Sequence, residues 1–83
     1  MKKMKNYVVG ICSLFDNEVK LFKVVAENDY CAVNKAFVEL APDEESKQSE
    51  IDWQNHPDYP KSLEDLIIFC EGLAFSVIEV TKF

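Results

Sequence analysis

His56 is the only histidine of this 83-residue chain, and it sits in Asn55-His56-Pro57-Asp58, with Asp52 and Asp58 close by. Imidazoles titrate near neutral pH, so such a trio could act as a general base or hold a metal ion. Zinc normally takes three or four nitrogen or sulfur ligands, and no cysteine is near in sequence. The competing reading is an ordinary surface loop. Cys12, Cys31 and Cys70 could supply a nucleophile. A reactive thiolate needs a neighbouring cation or a helix N-terminus, and only Cys31, in the first turn of an expected helix, meets either condition. All three lie in apolar runs without CxxC spacing. They read as reduced, buried thiols of a cytoplasmic protein.

Asp43-Glu44-Glu45 and Asp52 cluster oxygens of the kind hard cations take, but the spaced ligands and central glycine of a calcium loop are missing. Gly10 and Gly72 are the only glycines, so no phosphate-cradling loop is available. The expectation is a protein without cofactor or metal, and not an enzyme, because acid–base or nucleophilic chemistry needs placed titratable partners.

Charge is more informative. Between Glu39 and Glu71 lie ten carboxylates and only Lys47 and Lys61, a segment net of −8, while the other residues carry +2 and the whole chain −6. A block of one sign attracts cationic partners and repels nucleic acid and anionic lipid. All nine basic residues are lysines. Without arginine, the usual bidentate reader of phosphates and guanine edges, direct nucleic-acid binding is not expected. Nor is membrane binding, since no apolar run approaches the roughly 20 residues of a span. The lysine-rich start before Tyr7 to Phe15 could pass for a secretion signal, but Asp16 cuts the run short, and it reads better as a strand.

Trp53 and Tyr59 stand among those carboxylates, the combination that interfaces use for anchoring and steering together. The candidate partner-binding residues are therefore Asp43, Glu44, Glu45, Glu50, Asp52, Trp53, Asp58 and Tyr59. Two plainer readings compete: the charge is a solvated face, and the two rings pin the segment to the domain.

The elements that position these residues follow from periodicity. Tyr7 to Leu14 and Glu18 to Val25 read as strands joined by a turn, in which Asp16 and Asn17 tolerate positive φ. Asn28 and Asp29 can cap a helix from about Asp29 to Leu40, with Tyr30, Val33, Phe37 and Leu40 on its apolar side and Pro42 beyond its end. Residues 42 to 61 hold three prolines and no apolar period, and read as a long acidic loop with at most a helical turn near Ser49 to Gln54. Ser62 caps a second helix, with Leu63, Leu66, Ile67 and Cys70 facing inward and Gly72 closing it. Phe75 to Thr81 reads as a last strand covered on both sides.

The order strand, strand, helix, helix, strand predicts a single α+β domain over residues 1–83. Its sheet is three-stranded and mostly antiparallel, in order 2-1-3, with two helices on one face. The other face and two edges are left bare, which leaves a homodimer open.

In size, acidity, lack of catalytic motifs and hairpin-plus-helix build, the chain resembles small bacteriophage proteins that block host defence, such as anti-CRISPR proteins and DNA mimics. That resemblance rests on general character and carries no family site onto this sequence. It implies a non-enzymatic inhibitor or adaptor whose acidic surface binds a basic host protein, including one that itself binds nucleic acid. The alternative is a small regulatory or ligand-binding homodimer using the bare sheet face, with Phe22, Val24 and Val8 lining a site between protomers.

Overall fold

Strand periodicity is clearest in the first element, β1 (Lys5–Ser13), where Tyr7, Val9 and Ile11 are buried at every second position. In this computed structural model residues 3–13, 17–69 and 73–83 are described. β2 (Glu18–Ala26) pairs antiparallel with β1 through a turn in which Asn17 takes φ 53° and donates its N–H to Ser13 O at 2.9 Å. Asparagine tolerates that left-handed conformation because its short amide costs little there. Asp16, the other expected turn residue, lies outside the described residues.

Helix α1 (Asp29–Leu40) begins where Asn28 Oδ1 accepts from the Cys31 N–H at 2.8 Å and ends at Ala41, just before Pro42. Its Ala32, Val33, Ala36 and Phe37 pack on the sheet with Tyr7, Val9, Ile11, Val24 and Ala26. Val9, Val33 and Leu66 are completely buried, each contributing about 1.5–3 kcal/mol of apolar transfer. Helices α2 (Glu44–Gln54) and α3 (Leu63–Phe69) follow, and β3 (Leu73–Val80) completes the sheet in order β2-β1-β3. β1 runs antiparallel to both neighbours, so the α+β class and strand order are as the sequence implies.

Four expectations are corrected. Among the described residues the helices number three, because residues 44–54 of the expected loop are helical. An N-cap at Asp43 replaces the missing apolar period as the local signal: its carboxylate accepts from the Ser46 N–H at 2.7 Å, and Glu44 and Glu45 in the first turn favour the helix dipole. In α3 only Leu66 is buried, while Ile67 is 59% exposed, because seven residues make too little helix to turn a broad stripe inward. β3 is covered on one side only: Phe75 and Val77 pack against the core and Ile78 is 62% exposed. Lastly, Phe22, Val24 and Val8 do not share a face. Val8 pairs with Lys23 and so lies on the uncovered side with Leu21 and Val25, whereas Phe22 and Val24 pack inward.

Candidate partner-binding surface

Four of the ten carboxylates of the acidic segment, Glu44, Glu45, Glu50 and Asp52, lie on α2, and Asp43 caps it. This helix has no fully buried residue, and Trp53 is its one side chain packed against the core; so polar a helix needs other contacts to hold it. Gln54 supplies them, its Nε2 donating to the Asn34 carbonyl of α1 at 2.9 Å and to Glu50 Oε1 at 3.0 Å. Gln48 Nε2 likewise donates to Asp52 Oδ1 at 3.0 Å. Among the described residues Glu44, Glu45, Glu50 and Asp52 form no ion pair, so their charges remain available to a partner. The Ser46 amide, then its hydroxyl, hold the Asp43 carboxyl below its ordinary value of 3.8. Asp43 is thus engaged in capping its own helix, and its charge is secured at neutral pH.

Tyr59 is corrected as a partner contact. It is 3% exposed, its hydroxyl donates to Asn34 Oδ1 at 2.7 Å, and its ring meets Trp53 edge to face at 5.6 Å. Tyr59 pins the segment to α1. Trp53 is half-buried and lies 5.9 Å from the ring of Phe69, which is 52% exposed. These two rings, with Phe37, Leu40 and Tyr59, line a hollow of about 220 Å³, and Glu50 contributes its one carboxylate among the described residues. An aromatic hollow beside a carboxylate suits the aliphatic stem and cationic head of a lysine or arginine.

Phe69 and its neighbour Ile68, 76% exposed, were not among the residues the sequence singled out. The signal existed in Ile67-Ile68-Phe69: three successive apolar residues on a helix cannot all face one core.

His56 is a turn residue. Its Nδ1 accepts from the Asp58 N–H at 3.1 Å, its carbonyl accepts from the Tyr59 N–H at 3.0 Å, and its ring lies against Trp53 at 5.4 Å. The Asp58 carboxylate lies 3.8 Å from the same Nδ1. Asp58 itself is exposed on that turn. Of the cysteines, Cys31 packs against the core and Cys12 lies half-exposed on the uncovered sheet face, contrary to the expected burial, while Cys70 falls outside the described residues. No group of three histidine, cysteine or acidic side chains comes together as metal ligands among the described residues.

A larger groove of about 810 Å³ runs along β2, between it and the helices, lined by Phe22, Val24, Val38 and Ile51, with Lys35 and Glu39. Lys35 Nζ donates to the Val25 carbonyl there at 2.6 Å. The charges in this groove are mixed, so it lacks the one-signed field of α2.

The chain matches no protein-family model, no curated protein and no solved structure. Among the described residues no helix is long and apolar enough to cross a membrane.

Proposed function

We propose that this chain is a non-enzymatic, cytoplasmic inhibitor or adaptor that binds a basic protein through α2 and the hollow beside it. This mode of action would parallel phage proteins that block host defence by imitating nucleic acid, and a partner that handles nucleic acid fits the same chemistry. The observation that carries the reading is α2 itself, a helix with no fully buried residue, whose carboxylates form no ion pair among the described residues and whose Trp53 lies beside Phe69 of α3. Glu44, Glu45 and Asp52 stand in for phosphates against lysine and arginine, which steers association. Glu50, Trp53 and Phe69 receive one cationic side chain, and burying that apolar contact gives the complex its residence time.

Capture from a lysate of the cells in which the chain acts, at low and high salt, tests this. A basic protein retained at low salt and released at high salt supports it. Retention that is indifferent to salt overturns it, because exposed charge pairs are screened over about 10 Å at 0.1 M salt.

A further inference from the structure

The sheet face turned away from the helices is built as four rows across three strands. Along β2, β1 and β3 the rows read Val25, Asn6, Val80; Lys23, Val8, Ile78; Leu21, Gly10, Ser76; and Val19, Cys12, Ala74. Leu21 is 72% exposed, Val19 and Ile78 are each 62% exposed, and Val25 is 44% exposed. The face carries Lys23 and no carboxylate, in a chain of net charge −6. Two copies meeting through their helical sides would bring the acidic segments together, whereas meeting through this face they would not. A basic partner gains nothing here, since no acid awaits it.

The shape of the face selects a second copy further. On β1 and β3 the first two rows place Val8, Ile78 and Val80, and the last two place Gly10, Ser76, Cys12 and Ala74. The small residues leave a hollow of about 260 Å³, walled on the β2 side by Leu21 and Val19. A two-fold axis across the strands lays each half on the opposite half of its mate. Val8 then meets Gly10 of the second copy, Ile78 meets Ser76, and Val80 meets Ala74. Lys23 lands at the rim over Leu21, where its stem covers apolar surface and its amine stays in water. An isologous contact requires this reciprocity of knob and hole.

We infer that this chain forms a two-fold dimer through the uncovered sheet face, with the bulky half of each sheet seated on the small-residue half of the other. Eight residues rising about 3.4 Å each, on three strands about 4.8 Å apart, give a projected footprint of roughly 400 Å² per copy. Two copies together cover roughly 800 Å² when counted flat, and protruding Leu21 and Ile78 raise the accessible area toward the roughly 1,000 Å² at which specific interfaces begin. Packed sheets sit about 10 Å apart with strands within about 30° of alignment, so the helices and their charge remain on the two outer faces. The dimer presents two copies of α2 facing away from each other, and it stands independently of what α2 binds.

Analytical ultracentrifugation of the full chain over a concentration series tests the dimer, with circular dichroism to follow the fold. The wild type is expected to dimerise, and Ile78→Glu to sediment as a monomer with an unchanged spectrum. Gly10→Val decides between a shaped contact and mere stickiness. Its new Cβ would lie 3.2 Å from the Leu21 Cδ2 end, which a flexible side chain can relieve, so the fold survives. The added bulk fills the hollow that receives Val8, and dimerisation should weaken by about tenfold or more. A wild type that stays monomeric throughout, a dimer that survives both variants, or one that tightens on Gly10→Val would overturn the inference. Replacing Glu44, Glu45 and Asp52 with lysine should leave the dimer in place even if it abolishes partner binding.

Discussion

The hydroxyl of Tyr59 donates to Oδ1 of Asn34 across 2.7 Å, joining the turn after α2 to the middle of α1. Gln54 reaches the carbonyl of the same Asn34 at 2.9 Å. One α1 residue therefore anchors the acidic segment at two points. Tyr59→Phe removes only the hydroxyl bond and should cost about 0.5–1.5 kcal/mol in chemical denaturation. Tyr59→Ala also empties a core site and should cost about 3–5 kcal/mol. Equal losses from the two would mean that the ring contributes little packing.

Asp43 gives a pH-dependent prediction. Its folded carboxyl titrates below the ordinary value of 3.8 because Ser46 donates to the charged form. A depressed folded value stabilises the helix at pH above the unfolded value, and that contribution disappears as pH falls through the folded one. Helical signal from α2 should therefore drop on acidification below pH 3.8. Asp43→Asn keeps a capping oxygen and should flatten this part of the profile, whereas Asp43→Ala should lower helix content already at neutral pH. Circular dichroism across a pH series reads both.

Within α3, opposite sides of one turn should behave oppositely. Leu66 is fully buried and Ile68 is 76% exposed. Leu66→Ala should destabilise by about 2–5 kcal/mol, and Ile68→Ser should stay within about 0.5 kcal/mol of wild type. Thermal or denaturant melts check this contrast directly.

The hollow beside α2 predicts a change in residence time rather than in steering. Phe69→Ala, at a ring that is 52% exposed, should leave stability near wild type and raise the partner's dissociation rate, because truncating an aromatic anchor typically costs more than about 1 kcal/mol of binding. An unchanged dissociation rate would remove Phe69 from the interface.

Much of the fold was legible because local chemistry and tertiary role agree. Asn28 caps α1 and Pro42 follows its end, Asn17 takes the positive φ that a tight turn needs, and the strand order follows from simple chain connectivity. Helix α2 was hidden because apolar periodicity reports a face packed on a core, and α2 packs only Trp53 there; its signals are the Asp43 cap, acids in the first turn and side-chain bonds four residues apart. The candidate surface was legible in its charge and in Trp53. Tyr59 and Phe69 exchanged roles, because sequence spacing does not say which aromatic finds a buried partner such as Asn34. Ser76, Gly10 and Leu21 become neighbours only through strand register, so the sheet-face hollow had no signal along the chain.

The central claim, that α2 steers a basic partner, is tested most directly by the association rate of the captured protein, measured by surface plasmon resonance between 0.05 and 0.5 M salt. The wild-type rate should fall by roughly tenfold or more across that range. With Glu44→Lys, Glu45→Lys and Asp52→Lys combined, it should be slow and nearly flat. Matching rates and matching salt slopes for the two proteins would contradict the account.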